Sequence, residues 1–183
     1  AFLIEQGVPA LYSSQLHLCA WLRARAALHQ LMGGGGLQYS TNSGMTVAMA
    51  QAGRLGDARR WARLTLDALP QDQNYGRASA LYRATFFGEI WRQPFAELAE
   101  VNRRVVEYAI VEGDQLYVAY GVRNLVHCLW FAAADLAHVS QVANDYASLL
   151  TRLGDVGNRR IVESIAQGVA KLRGSAREPL ALD

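Results

Sequence analysis

Gly53-Arg54-Leu55-Gly56-Asp57-Ala58 is a turn-forming stretch that recurs in outline twice further along the chain. The related stretches are Trp91-Arg92-Gln93-Pro94-Phe95-Ala96 and Ala132-Ala133-Ala134-Asp135-Leu136-Ala137. Each follows one long segment of helical apolar periodicity and begins another. The alanines that close the three stretches lie 38 and 41 residues apart. A period of roughly 35–45 residues built from two helices predicts a solenoid of αα-hairpins.

Helical periodicity extends over most of the chain, and only four prolines interrupt its 183 residues. The pattern predicts an all-α fold, an αα-hairpin superhelix of about eight helices. Helix pairs are expected over residues 41–70, 75–113 and 114–153, with flanking helices over 9–32 and 155–173. We expect residues 1–173 to form a single domain and residues 174–183 to be a linker or tail.

The predicted helix ends rest on glycine, proline and aspartate. The run Gly33–Gly36 ends the first long helix, because glycine leaves the backbone too free to remain helical. Asp57 is the predicted N-cap of the third helix, and Pro70 ends that helix. Gly113-Asp114 and Gly154-Asp155 each have the pattern of a helix-ending glycine followed by an N-cap aspartate.

Composition places the chain among folded proteins and argues against a nucleic-acid binder. Hydrophobic residues make up 51% of the chain and charged residues 19%, so a disordered polymer is excluded. So few charges also indicate apolar surface that is covered by something else. The formal net charge is only +2 and the basic residues are dispersed, which does not fit a nucleic-acid interface.

The compartment is predicted from the cysteines and the apolar runs. Cys19 and Cys128 lie in apolar helical segments, which predicts reduced core thiols and a cytoplasmic protein. No apolar run reaches the roughly 18 residues that a membrane span needs. Ala1-Phe2-Leu3-Ile4-Glu5 has no basic region of the signal-peptide type. Because the chain begins without methionine, we expect it to be part of a longer protein, with simple processing of the N-terminus as the alternative.

No pattern of residues predicts an enzyme, a cofactor or a metal. The glycine run lacks the Lys-Ser/Thr end and the preceding strand of a phosphate loop. His17 and Cys19, and likewise His127 and Cys128, do not have the spacing at which two helical side chains converge on zinc. We therefore expect no catalytic, cofactor-binding or metal-binding residue in this chain, and a role other than catalysis.

The turn stretches resemble those of the tetratricopeptide repeat (TPR). In that repeat a small residue ends the first helix, an alanine five positions on permits close helix packing, and a proline ends the second helix. Gly53, Ala58 and Pro70 stand at the matching places. The second and third stretches lack a terminal proline, and Trp91 replaces the small residue in the second. The resemblance implies a TPR-like domain with longer repeats than usual.

A second resemblance covers about residues 11–174. The runs Trp91-Arg-Gln-Pro-Phe-Ala-Glu97 and Ala109-Ile-Val-Glu-Gly-Asp-Gln-Leu-Tyr-Val-Ala-Tyr120, followed by Asn124-Leu125, are similar to a helical region of large bacterial signalling ATPases. In those proteins an AAA/STAND-type ATPase, with a kinase-like or regulatory segment, precedes TPR-like helices, and histidine-kinase, cyclase or DNA-binding output domains often follow. The resemblance implies a regulatory module between nucleotide-driven and output domains.

A candidate groove follows when the three closing alanines set the register of the repeats. The register gives Leu81, Thr85, Val122, Val126, Leu129 and Trp130, and Tyr120 and Arg123 are added as expected lining residues of a small-molecule pocket. Two hypotheses remain. The first is a non-enzymatic protein-interaction and signal-relay module that binds a flanking domain, a second copy or another protein, with no nucleic acid or membrane partner. The second is a small-molecule, inducer-sensing domain of a transcriptional regulator or signalling ATPase. Core packing of these residues is the alternative to a groove.

Overall fold

The computed structural model describes residues 15–33, 38–69, 75–132 and 135–174. Within these ranges the chain is all-α and contains no strand, which confirms the all-α part of the predicted fold. The eight helices of these ranges are α1 (Leu16–Leu31), α2 (Gln38–Gln51), α3 (Leu55–Asp67), α4 (Arg77–Ala84), α5 (Phe95–Glu112), α6 (Gln115–Phe131), α7 (Leu136–Leu153) and α8 (Val156–Leu172). Helix α4 continues into a π-helical turn, Thr85–Glu89.

Four sequence predictions fall outside the described residues. They are the start of the first helix at residue 9, the glycines at 34–36, the helix end at Pro70 and the tail beyond Gly174. The part of the first helix that is described ends at Leu31, followed by Met32 and by Gly33 with a φ of +82°.

The predicted pattern of a helix-ending glycine followed by an N-cap aspartate is confirmed at both Gly113-Asp114 and Gly154-Asp155. Gly113 ends α5 with a φ of +70°, and the Asp114 carboxylate accepts a hydrogen bond of 3.2 Å from the backbone N–H of Tyr117. Gly154 ends α7 with a φ of +71°, and the Asp155 carboxylate accepts from the N–H of Asn158 at 2.9 Å. The left-handed backbone suits glycine, and each aspartate satisfies one of the otherwise unpaired N–H groups at a helix start.

The predicted N-cap at Asp57 is wrong. Helix α3 begins at Leu55 with Arg54 as its N-cap residue, and Asp57 lies in the first turn. There the Asp57 carboxylate accepts a hydrogen bond of 2.8 Å from Arg54 Nε and lies 3.4 Å from Arg60 Nη1. A carboxylate in the first turn is favoured by the positive end of the helix dipole, so the residue stabilises the same helix end by charge.

Helix α2 begins at Gln38, three residues before the predicted start at Thr41. Its polar residues are those that usually compete with helix formation, yet most of them are buried here. The Ser43 hydroxyl donates to the carbonyl of Ser40 at 2.8 Å, and the Thr46 hydroxyl donates to that of Asn42 at 3.1 Å. These bonds to the preceding turn satisfy the hydroxyls inside the helix, so they can be buried at little cost.

The chain forms two compact units, residues 1–92 and residues 93–183. The boundary lies within the predicted repeat of residues 75–113, which therefore contributes one helix to each unit. The single domain expected over residues 1–173 stays a prediction.

In the first unit α2 is the central helix and packs against α1, α3 and α4. The contacts between α3 and the π-helical turn are close, since a Cβ at Gly88 would overlap that of Ala62 and lie 3.3 Å from Thr46 Cγ2. The same turn brings the buried carboxylate of Glu89 to 3.3 Å from Arg59 Nε and 3.8 Å from Arg63 Nε. The π-turn therefore both permits close packing and pairs a buried charge.

In the second unit α6 is central and packs against α5, α7 and α8. Helices α5 and α6 pack closely at Gly121, where a Cβ would lie 2.9 Å from Val106 Cγ2. Helices α7 and α8 pack against each other as a second pair. The fully buried side chains include Leu98, Leu125, Leu150, Val105, Val106, Val122, Val126, Val139, Val162 and Val169.

Candidate functional site

Helix α6 has a wide buried face and a narrow face that is partly open to solvent. The buried face carries Val122, Leu125 and Val126, which pack in the core of the second unit. The opposite face carries side chains at spacings of three and four residues, which a helix of 3.6 residues per turn places in one row. We call this row the α6 stripe; it consists of Tyr120, Arg123, His127, Trp130 and Phe131. The first four are half-buried and Phe131 is exposed.

Arg123 is held against an aromatic ring. Its guanidinium carbon lies 5.2 Å from the centroid of the Tyr120 ring, within the range of a cation–π contact. Its Nε also donates a hydrogen bond of 3.4 Å to the side-chain oxygen of Asn124. The Tyr120 ring in turn meets the Tyr117 ring edge-on, with centroids 6.0 Å apart. These contacts restrict the guanidinium before any ligand arrives.

His127 lies between Arg123 and Phe131 on the α6 stripe and contacts both residues. Its Nδ1 lies 2.9 Å from the carbonyl oxygen of Arg123, a bond that requires a proton on Nδ1. The ring is roughly parallel to that of Phe131, with centroids 6.3 Å apart. In the neutral tautomer with Nδ1–H, Nε2 is a hydrogen-bond acceptor.

The end of the stripe is formed by two aromatic side chains with partners on other helices. Phe131 lies 5.2 Å, centroid to centroid, from Phe95 at the start of α5. The Trp130 indole lies against Gly168 on α8, where a Cβ would stand 3.3 Å from Trp130 Cη2. Packing on α5 and α8 thus orients both rings.

The α6 stripe combines aromatic surface, one guanidinium and one imidazole, and helix α6 contains no acidic residue. Tyr, Trp and Arg are the residue types that dominate binding energy at protein interfaces, because they combine large rigid surfaces with directional hydrogen bonds. The groups of the stripe supply binding chemistry for an apolar ligand surface that carries a carboxylate or a hydrogen-bond partner.

The predicted groove residues fall into two groups. Leu81 and Thr85 of the first unit are buried, as are Val122, Val126 and Leu129 of the second. Tyr120, Arg123 and Trp130 lie together on the α6 stripe. The sequence prediction missed His127 and Phe131, although both follow Tyr120 and Arg123 at helical spacing, which is the signal that would have found them.

Both cysteines are buried, Cys19 in the first unit and Cys128 in the second. Asn102 places its amide nitrogen 3.9 Å from the Cys128 sulfur and donates to the Leu98 carbonyl at 2.8 Å. Burial raises the pKa of the Cys128 thiol to about 11, so the thiol is protonated at neutral pH. In the described part of the chain, no group of three His, Cys, Asp or Glu residues is placed to hold a metal ion.

Comparison with models of known protein families, with curated proteins and with solved structures finds no match for this chain. Among the helices of the described ranges, none combines the length and the apolar character that crossing a membrane requires.

Proposed function

We propose that this chain is a non-enzymatic protein-interaction and signal-relay module. The observation that carries the proposal is the α6 stripe, where Tyr120, Arg123 and Trp130 stand in one row on the central helix of the second unit. A partner that covers the stripe gains aromatic contact area and a cation already restricted by Tyr120, so little side-chain entropy is lost on binding.

We further propose that the units belong to a TPR-like superhelix. Helix packing within each unit supports this arrangement. In the first unit α2 packs against α4, and α3 contacts both of these helices. In the second unit α6 packs against α8, and α7 contacts both of these helices. Alternate helices therefore contact each other within each unit. Within its own unit, we assign the α6 stripe to the groove side of the repeat.

The partner is proposed from the two resemblances together with the stripe. It is a flanking domain of a larger bacterial cytoplasmic regulator, a second copy of this chain or another protein. A relay role follows from the resemblance to the helical region of signalling ATPases, in which such helices join nucleotide-driven and output domains.

The test is size-exclusion chromatography with light scattering on the full chain, alone and mixed with the neighbouring domain of its parent protein. The variant is Arg123→Ala/Trp130→Ala. Arg104→Ala is the matched control, because the exposed Arg104 of α5 forms an equivalent contact with Tyr108, with its guanidinium carbon 5.8 Å from the ring centroid. A homodimer or a stoichiometric complex that the double variant loses and the control keeps would support the proposal.

Small-molecule sensing is the second candidate, favoured by one observation. The Arg123 guanidinium and the His127 imidazole stand one turn apart between aromatic rings, an arrangement suited to a small aromatic or carboxylate ligand. A thermal-shift screen of metabolites tests it. A ligand at a hundredfold excess over Kd should stabilise the chain by about 2.7 kcal/mol. A strict monomer that a metabolite stabilises, with the effect lost in Arg123→Ala/Trp130→Ala, would replace the interaction proposal.

A further inference from the structure

Helix α1 exposes an apolar row on the side away from the core of its unit. The row, which we call the α1 stripe, consists of Leu18, Trp21, Arg25 and Leu28, together with Met32, which directly follows the last helical residue. The spacing alternates three and four residues, the heptad spacing of helices that pair along their length. Trp21 is 56% exposed, Leu28 48% and Met32 78%, values far above those of core residues.

The other face of α1 already has its partner. Cys19, Ala26 and Ala27 are buried there, and α1 packs against α2. The aliphatic stem of Arg23 covers Gly44 of α2, where a Cβ would lie 3.4 Å from Arg23 Cγ. The core of the first unit therefore does not use the α1 stripe, and four large apolar side chains in one row form a patch of the kind that marks an interaction site.

The positive charge of Arg25 indicates which kind of partner surface fits this patch. Arg25 stands in the middle of the row, with its guanidinium carbon 5.7 Å from the centroid of the Trp21 ring. Between Glu5 and Asp57 the chain contains no acidic residue at all. A partner carboxylate that meets Arg25 gains electrostatic attraction, and a basic group at the same place is repelled.

A second copy of α1 does not fit this charge pattern. When two copies pair so that all five positions of the stripe meet, in either the parallel or the antiparallel direction, Arg25 faces its own copy. Two guanidinium groups brought together inside an apolar seam repel each other, and no carboxylate from α1 or α2 can intervene, because both helices lack one.

We propose that the α1 stripe docks an acidic amphipathic helix of a partner protein. The apolar positions of that helix cover Leu18, Trp21, Leu28 and Met32, and one of its carboxylates meets Arg25. The 16 residues of α1 span about 24 Å, so the partner contributes about four helical turns. This inference rests on the proposed function, because it names the chemistry of one partner of an interaction module.

The experiment uses synthetic 21-residue peptides with leucine at the a and d positions of three heptads. One carries glutamate at every e and g position, a second carries lysine there, and a third is a scrambled form of the first. Binding of each fluorescein-labelled peptide to the full chain is followed by fluorescence anisotropy at low and high salt. We expect the glutamate peptide to bind with a Kd on the order of 10 μM and the other two at least about tenfold more weakly. High salt should weaken the binding of the glutamate peptide, because it screens the attraction between opposite charges.

Variants test where the peptide binds. Trp21→Ser/Leu28→Ser should abolish binding, and Arg25→Glu should transfer the preference to the lysine peptide. Leu55→Ser/Leu64→Ser is the matched control, since it removes two similarly exposed leucines of α3 in the same unit and should leave binding unchanged. Far-UV circular dichroism verifies that each variant keeps its helix content.

Four outcomes would overturn the proposal. They are equal binding of the glutamate and lysine peptides, no binding of either, binding that survives Trp21→Ser/Leu28→Ser, and a dimer of the chain alone that the same variant dissolves. Adsorption to vesicles of phosphatidylcholine and phosphatidylserine, lost in that variant while no peptide binds, would assign the surface to lipid instead. Failure here leaves the proposed function standing if Arg123→Ala/Trp130→Ala still dissociates its complex.

Discussion

At the residue scale, Gly88 is the position where one added carbon should do most harm. A Cβ there would overlap Ala62 Cβ and lie 3.5 Å from the Ala58 carbonyl oxygen. Gly88→Ala should therefore destabilise the chain by about 1–3 kcal/mol, which outweighs the gain of about 0.5–1 kcal/mol in helix propensity. Urea unfolding followed by circular dichroism measures this.

Gly56→Ala is the control for that substitution. Gly56 lies in the first turn of α3, and a Cβ there meets no atom within 4 Å. The control should be neutral or stabilising by up to about 1 kcal/mol. Equal stability changes at the two positions would show that the contact between the π-turn and α3 is not as close as described.

Cys128 should react slowly with alkylating agents in the folded protein. Its pKa is raised from 9.0 to about 11 by burial, so at pH 8 the thiolate fraction falls roughly a hundredfold relative to the unfolded chain. Peptide-resolved mass spectrometry after iodoacetamide treatment, in buffer and in urea, measures the ratio. A synthetic peptide that contains Cys128 controls for the effect of urea on the reagent. A ratio below about threefold would contradict the raised pKa.

The same shift gives a stability prediction with a definite sign. The folded state holds the Cys128 proton more tightly than the unfolded chain, so its stabilising contribution is complete below about pH 9 and is lost as the pH rises towards 11. Cys128→Ala should remove this part of the alkaline pH dependence of unfolding.

At the element scale, two aspartates near helix starts should differ in what they contribute. Asp155 accepts from the backbone N–H of Asn158 and, at 2.8 Å, from its side-chain amide, and so caps α8. Asp155→Ala should cost about 1 kcal/mol of unfolding free energy. Asp57→Ala, which loses only exposed ion pairs with Arg54 and Arg60, should cost less than about 0.5 kcal/mol. Thermal unfolding that ranks Asp57 above Asp155 would refute this distinction.

The candidate site also shows which features helical periodicity predicts and which it does not. Periodicity alone places Tyr120, Arg123, His127 and Phe131 on one side of α6, because helical residues three or four apart share a face. Whether that side is covered depends on which helices pack against α6. The contacts of Trp130 with Gly168 and of Phe131 with Phe95 join positions 38 and 36 residues apart in sequence, and no local pattern predicts them.

At the scale of the whole molecule, each unit has one helix surrounded by others. Helix α2 packs against three helices of the first unit and α6 against three of the second, whereas α1 packs against α2. Amide hydrogens should therefore exchange most slowly in α2 and α6 and faster in α1. Hydrogen exchange resolved by mass spectrometry measures the order. Protection of α1 equal to that of α2 would contradict it, and would indicate that the α1 stripe is covered in solution.

The sequence by itself determined the helical class and most of the helix limits. The limits of α6 and α7, and the turns at Gly113-Asp114 and Gly154-Asp155, depend on backbone freedom and on hydrogen bonds between near neighbours, which a short stretch of residues specifies. The N-cap at Asp57 was predicted wrongly because the same residue type also suits the first helical turn beside Arg54 and Arg60.

Only the tertiary structure decided which apolar positions form the core and which face solvent. Leu81, Thr85, Val122, Val126 and Leu129 have the spacing of a groove, yet they are buried, while Trp21 and Leu28 of α1 are exposed. The hydrophobic effect favours burial of an apolar side chain regardless of which element covers it. The sequence pattern therefore shows which helix face prefers burial, but it does not show which helix packs on that face. The division at residues 92 and 93 is of the same kind, since it reflects which helices contact each other across long stretches of chain.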